Sequence, residues 1–210
     1  MSRQLSCLLE TFAPELVAVD MPVADSAVLG YREADRATTR AFSKFGCPVH
    51  SPTLRRPGDW GKYCVKLMQA KGYHCKTNKI QTPKAFAEVY PHTAYLKILR
   101  SGYRIPYKIG RMGKYWPKKN TLERKRILLQ WWRKIQKTLF TELGIVGEEL
   151  AFDENMSGVA LKAVEDKLDA LACAWAAIEI LSGSFIPYGD QQAVIWNPPA
   201  KELDLFTGNP

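Results

Sequence analysis

The segment "AVEDKLDALACAWAAIEI", residues 163–180, is a helix-forming stretch that is apolar around most of its circumference. Alanine, leucine, isoleucine and tryptophan dominate it, and a helix with so little polar surface is expected to pack on more than one side. It therefore needs a substantial core around it. A chain of 210 residues that is 46% hydrophobic is long enough to supply one. We predict a single domain over residues 1–210, with this helix running from about Ser157 to Leu181.

Asp166 and Asp169 stand inside this apolar helix, and their spacing puts both carboxylates toward the same side. Acids near the N-terminal part of a helix often face solvent, where they favour the helix dipole. Asp166 is compatible with that interpretation. Asp169 is less so, because the small residues Ala172, Cys173 and Ala176 continue its side of the helix and indicate close packing.

Two short β-type runs each have an acid at or near their end. "LVAV", from Leu16 to Val19, is followed by Asp20, and "KAFAEVYP", residues 84–91, contains Glu88. Continuous apolar runs fit strands buried on both faces of an α/β sheet, and the carboxyl ends of such strands commonly hold sites. The alternatives are a turn residue before proline for Asp20 and an ordinary strand-edge acid for Glu88.

The remaining elements complete an α/β pattern. Helices are predicted over about 3–13, 31–45 and 60–71, after Pro91, and from Thr121 to Gly144. Residues 103–119 are predicted to form an exposed loop, and residues 183–187 a turn before a final β-run, "AVIWNP".

Positive charge is concentrated in one part of the chain. Fourteen of the thirty lysines and arginines lie between Lys97 and Lys137, against the single acid Glu123, and the net charge is +9. Such a field favours a polyanionic partner, with nucleic acid first and an anionic membrane second, although a solvated basic surface is the plain alternative. Lys108, Arg111 and Lys114 in the loop are candidate substrate-binding residues.

A second basic feature is the stripe of Arg32, Arg36 and Arg40, which recur at helical spacing. These arginines either contact phosphate through their bidentate guanidinium groups or pair with Glu33 and Asp35 on a solvated helix. Both interpretations remain open from the sequence.

Asp20, Glu88, Asp166 and Asp169 together indicate a metal site. Clustered acids are costly to bury, and a divalent cation removes that cost. Mg²⁺ or Mn²⁺ suits carboxylate ligands, and two such ions can hold the attacking and leaving oxygens in phosphodiester hydrolysis. We therefore predict catalytic roles for these four acids.

Four stretches carry a family resemblance: "PELVAVDMPV", "YREADRATTR", "AEVYPHTAYLKIL" and "DKLDALACAWAAIEILSG". They are similar in sequence and order to the domain of unknown function 429 family, described as predicted nucleases of the ribonuclease H-like fold. The resemblance implies a mixed sheet flanked by helices, with a basic helical insertion at about 103–156. It implies that Asp20 is the acid of the sheet's fourth strand and Asp169 the metal ligand on the last helix, with Asp166 adjacent or alternative. Glu88, Arg32 and Arg36 match further motifs of the family.

The chain departs from the ribonuclease H-like pattern at its start, because no strand with a "GxD" motif precedes Leu16. Either the true start lies upstream or the chain is a truncated descendant. The "LVAVD" strand is then expected to have an exposed edge, which favours homo-oligomers. The leading hypothesis is a divalent-metal-dependent nuclease. The alternatives are a non-catalytic nucleic-acid-binding module with a vestigial metal site, and an interaction module whose basic loop binds an acidic protein.

The cysteine pattern and the lack of long apolar runs bear on location. Five cysteines without a CxxC pair indicate free thiols in a reducing cytoplasm. No run of 18 apolar residues and no secretion signal is evident, so we expect a cytoplasmic protein without a membrane span.

Overall fold

The computed structural model describes residues 2–24, 28, 30–50, 59–75 and 84–207. The helices in this part of the chain are α1 (Ser2–Phe12), α2 (Glu33–Phe42), α3 (Asp59–Ala70), α4 (Pro91–Ile98), α5 (Met112–Tyr115), α6 (Thr121–Leu143), α7 (Gly158–Leu181) and α8 (Ala200–Leu203). The strands are β1 (Leu16–Val19), β2 (His74–Cys75), β3 (Ala85–Glu88), β4 (Ile186–Gly189) and β5 (Val194–Asn197). Short 3-10 turns occupy Ser43–Phe45, Ile109–Arg111 and Asp204–Phe206.

The strands form a small parallel sheet and a separate antiparallel pair, which confirms the mixed α/β class. The parallel sheet has the order β1-β3-β2, and Val19 at the end of β1 lies opposite Glu88 at the end of β3. β4 and β5 pair antiparallel, and Trp196 of β5 bridges to Val89 just beyond β3. The carboxyl ends of β1 and β3 therefore meet at one edge, where Asp20 follows directly.

The predicted turn at 183–187 is partly wrong, because β4 begins at Ile186 and continues to Gly189. Its side chains are mostly exposed, whereas those of β5 are all buried. A strand that contains proline and glycine and has little buried surface gives no alternating hydrophobic pattern, so its pairing with β5 is not visible in the local sequence.

Helix α7 is buried as its composition predicts. It packs against β1, α4 and α6, and its apolar residues join the largest hydrophobic cluster of the protein. Ser157 caps its first turn by accepting a hydrogen bond from the backbone N–H of Ala160. Asp169 is therefore fixed beside the sheet by a helix that is held on several sides.

The segment 103–119 is less exposed than predicted. Ile105 and Tyr107 are fully buried, and Tyr107 packs edge-on against Tyr95. The backbone carbonyl of Tyr107 accepts a hydrogen bond from Trp132 of α6 at 2.7 Å. These apolar and aromatic residues anchor the loop. Because they follow neither a helical nor a strand period, its burial is not visible in the local sequence pattern.

Strand β1 has one strand neighbour, β3, in the described parts of the chain, so it is an edge strand of the parallel sheet. Pairing of copies through this edge remains a prediction. A search of the described helices found none with the length and apolar character needed to span a bilayer.

Candidate functional site

A cleft of about 620 Å³ opens at the carboxyl ends of β1 and β3. Such an edge is where α/β sheets commonly hold their sites. The loop after β1, the start of α2, the residues after β3, the segment 104–111 and the first turns of α7 all contribute to its wall. Its charged and ionisable lining residues are Asp20, Arg32, Asp35, His50, Glu88, Tyr90, His92, Arg104, Lys108, Arg111, Lys162 and Glu165.

Asp169 of α7 is a buried carboxylate with two donors from the 103–111 segment. The Tyr107 hydroxyl donates to Oδ1 at 2.8 Å, and the Lys108 ammonium donates to Oδ2 at 2.5 Å. Burial raises the pKa of Asp169, while Lys108 and the Tyr107 hydrogen bond act in the opposite direction. The carboxylate is thus held in a fixed orientation by one neutral and one charged donor.

Glu165, which the sequence analysis did not select, is the second buried acid of α7. Its Oε2 accepts a hydrogen bond from the backbone N–H of Ile109 at 2.7 Å, and its Oε1 accepts one from Lys162 at 2.8 Å. Lys108 lies 3.4 Å from the same Oε1. The four-residue spacing of Glu165 and Asp169, which places two side chains on one helix face, was the available sequence signal.

Asp166 is mostly exposed, with 62% of its side chain accessible, and it pairs with Lys162 at 2.5 Å. Single carboxylate oxygens of Glu165, Asp166 and Asp169 nevertheless lie within 4.8 Å of one another. This acidic cluster could hold a metal ion, and oxygen-only donors suit hard cations such as Mg²⁺ and Mn²⁺. The donor chemistry therefore fits the predicted ion type.

Asp20 lies in the wall of the same cleft. It is exposed to solvent there, but protein atoms also pack around its side chain. This desolvation raises the pKa of Asp20 to about 7, and the negative charges of Asp169 and Glu88 act in the same direction. Lys108 and Lys162 partly oppose the shift. The fold thus brings the acid after β1 close to the acids of α7, although almost 150 residues separate them in sequence.

Glu88 and Arg32 form a buried ion cluster with Asp35 in the cleft wall. Arg32 donates to both oxygens of Glu88, at 2.7 and 2.6 Å, and to Oδ1 of Asp35 at 2.7 Å. Glu88 also accepts a hydrogen bond from the backbone N–H of Val23 at 2.8 Å. Burial raises the pKa of Glu88, whereas Arg32 lowers it. The guanidinium of Arg32 is therefore engaged by protein carboxylates.

The other candidate substrate-binding residues fall into two groups. Lys108 and Arg111 line the cleft. Arg36 lies outside it, exposed and 3.9 Å from Glu33, and Lys114 is exposed on α5. Arg40 pairs with the same Glu33 at 2.8 Å, so the arginine stripe is divided between a buried residue and a solvated face.

Comparison with known proteins identifies the family. The profile described as "Protein of unknown function (DUF429)" matches residues 3–193, which include α1 to β4 and every acid of the cleft. Searches of curated proteins and of solved structures returned no match. The match extends over most of the sequence, and the chain belongs to the DUF429 family.

Proposed function

We propose that this protein is a divalent-metal-dependent nuclease that hydrolyses phosphodiester bonds in nucleic acid. The observation that carries the proposal is that Asp20, after β1, and Glu165 of α7 line one cleft, while Asp169 of α7 lies close enough to Asp20 to raise its pKa. Arg104, Lys108 and Arg111 line another part of that cleft. Metal-assisted phosphodiester hydrolysis requires carboxylates that bind the metal ion and, beside them, basic side chains that bind the phosphate.

The fold that we propose for this chemistry is ribonuclease H-like. Its support is a pair of parallel strands, β1 and β3, followed at a distance by a long helix that places an acid beside the first strand. Glu165, Asp166 and Asp169, whose oxygens converge, would hold Mg²⁺ or Mn²⁺, and Asp20 lies within electrostatic range of Asp169. An ion held there would lower the pKa of a bound water and stabilise charge on the phosphoryl oxygens.

The side chains of the cleft have separate tasks in this proposal. Lys108 and Arg111 bind the non-bridging oxygens of the phosphate, for which lysine supplies a point charge and arginine a bidentate fork. Asp20, which lies outside the group of converging oxygens, would accept a proton from the attacking water in its ionised form, which a bound cation favours. Tyr107 and the backbone N–H of Ile109 orient the acids of α7.

A second candidate function is nucleic-acid binding without hydrolysis. The observation that favours it is the net charge of +9 together with the Lys108 ammonium, which already neutralises Asp169 without any metal. Binding without cleavage is the outcome that would select this alternative.

The test is cleavage of fluorescently labelled single-stranded and duplex DNA and RNA with Mg²⁺, with Mn²⁺ and with a chelator. We expect metal-dependent cleavage that falls at least about 100-fold in Asp169→Asn and in Asp20→Asn. Asp204→Asn is the control, since Asp204 is exposed and pairs with Lys44 on the surface. Cleavage that survives in both cleft variants would overturn the assignment, and salt-sensitive binding without cleavage would leave the second candidate.

A further inference from the structure

One part of the cleft is lined by basic side chains that form no hydrogen bond with a carboxylate of the described residues. They are Arg104, Arg111, His50 and His92, and we call them the arginine cluster. Arg104 donates to Nε2 of His92 at 2.6 Å and to the carbonyl of Gly46 at 3.3 Å, and Arg111 lies 3.4 Å from Nε2 of His50. No carboxylate in the described part of the chain forms an ion pair with either arginine.

His92 is a neutral imidazole in this cluster. It is 6% exposed, and burial together with the charges of Arg104, Lys108 and Arg111 lowers its pKa well below the ordinary range. Because a guanidinium only donates hydrogen bonds, Nε2 of His92 must be the acceptor and Nδ1 must carry the proton.

Two hydrogen-bond donors of the cluster lack an acceptor. Neither Nδ1 of His92 nor Nε of Arg104 has a partner among the described residues, and both atoms are buried. A buried donor without an acceptor costs about 1 to 3 kcal/mol, and most native proteins avoid it. Two guanidinium groups on one wall of a cavity, neither of them in an ion pair with a described carboxylate, indicate an anionic ligand.

The cluster is held in place by aromatic packing and lies near the acids. The ring of His92 contacts those of Tyr90 and Tyr107, with centroids 5.2 and 5.1 Å apart. The Tyr90 hydroxyl, whose pKa is raised by burial, lies within electrostatic reach of Arg104, Asp20 and Arg111. An anion bound to the arginine cluster would therefore lie close to the Asp20 carboxylate.

We propose that the arginine cluster is a subsite for a phosphate monoester, namely the terminal phosphate of a nucleic-acid strand. This rests on the proposed function for the neighbouring carboxylates. Two guanidinium groups that form no ion pair with a carboxylate of the described residues match a phosphate monoester, which carries close to two negative charges at neutral pH, better than a singly charged diester. A cavity of about 620 Å³ suits a ligand the size of a nucleotide.

The first test is calorimetric titration of the whole protein with inorganic phosphate in the absence of divalent ions. We expect one site, with an affinity at least about tenfold lower in Arg104→Met and in Arg111→Met. Lys201→Met is the matched control, because it removes one positive charge from the exposed surface of α8, outside the cleft, and should leave the affinity unchanged. Circular dichroism verifies folding, and Arg111, which is partly exposed, provides a variant that does not alter a buried contact.

The second test compares short strands that end in a phosphate or in a hydroxyl, by competition in fluorescence anisotropy. We expect preference for the phosphorylated end in the natural protein and loss of that preference in both arginine variants. No phosphate binding, or equal weakening in the Lys201 control, would overturn the subsite. Phosphate binding without a preference for the phosphorylated end would overturn the strand-end assignment. Neither titration requires cleavage, so failure of the nuclease proposal would be seen separately.

Discussion

Arg32 and Arg104 line the same cleft but have opposite surroundings. Arg32 donates to the carboxylates of Glu88 and Asp35, so its charge is matched inside the protein. Arg104 contacts a neutral imidazole and one carbonyl, and its Nε has no partner in the described structure. The hydrogen-bond partners of a cleft arginine therefore indicate whether it stabilises the fold or is available to a ligand. Its location in the cleft alone does not.

Replacement of the two arginines by methionine tests this comparison most strongly. Arg32→Met should lower the free energy of unfolding by about 3 to 5 kcal/mol, because it leaves two buried carboxylates without a counterion. Arg104→Met should cost about 1 to 3 kcal/mol, because Nε2 of His92 loses its donor but no carboxylate loses a counterion. Urea denaturation at neutral pH measures both. Equal losses would break the comparison, and Arg36→Met, on the exposed face of α2, should change stability by no more than about 0.5 kcal/mol.

Two tyrosines of the core extend the comparison to neutral groups. The Tyr107 hydroxyl donates to Asp169, whereas the Tyr95 hydroxyl, in the ring packed against it, has no partner in the described structure. Tyr107→Phe should lower stability by about 1.5 to 3 kcal/mol, because it removes a hydrogen bond to a charged group. Tyr95→Phe should be nearly neutral. Thermal unfolding of both variants measures these changes in stability. A larger loss of stability in Tyr95→Phe than in Tyr107→Phe would contradict the hydrogen bonds described here.

Asp20 gives the smallest expected effect, and its sign depends on pH. Its pKa of about 7 in the folded protein lies above the ordinary aspartate value of 3.8, so between these two pH values the folded state binds a proton that the unfolded state has released. Stability from this group is therefore full at low pH and is lost as pH rises through about 7. Asp20→Asn should become more stable relative to the natural protein by about 1 kcal/mol between pH 4 and 8, a value reduced for solvent screening.

The check is urea denaturation of both proteins across that pH range without divalent ions. A constant difference between them would mean that Asp20 titrates normally and has no unusual environment in the cleft. Repeating the series with Mn²⁺ present sharpens the result, because a bound cation would favour the ionised form and reduce the pH dependence.

Local patterns in the sequence predicted most of the fold. β1, α6 and α7 have strong apolar or capping signals, and α6 begins at an Asn120 cap and ends at Gly144, which has a left-handed φ of 63°. β4 and the buried part of segment 103–111 were missed, because their positions depend on partners distant in sequence. Long-range contacts of this kind leave no period in the residues themselves.

The site was predictable where a residue follows a regular element. Asp20 and Asp169 are predictable because one ends a strand and the other interrupts an apolar helix face. The structure places Asp20 in the cleft wall and Asp169 close behind it, bonded to the wall residue Lys108. Glu165 was passed over although its spacing from Asp169 was visible. Arg104 and His92 were missed because their relation arises only when α4 and the segment after it fold against each other.

The Lys108 ammonium, shared between Asp169 and Glu165, has a thermodynamic consequence. If the proposed divalent cation binds these acids, it would compete with this ammonium, which would then be available to an anion. Cation and anion binding in the cleft would in that case be coupled, and each would raise the affinity for the other by the same factor. The affinity for a metal ion alone would then be lower than the affinity in the presence of phosphate.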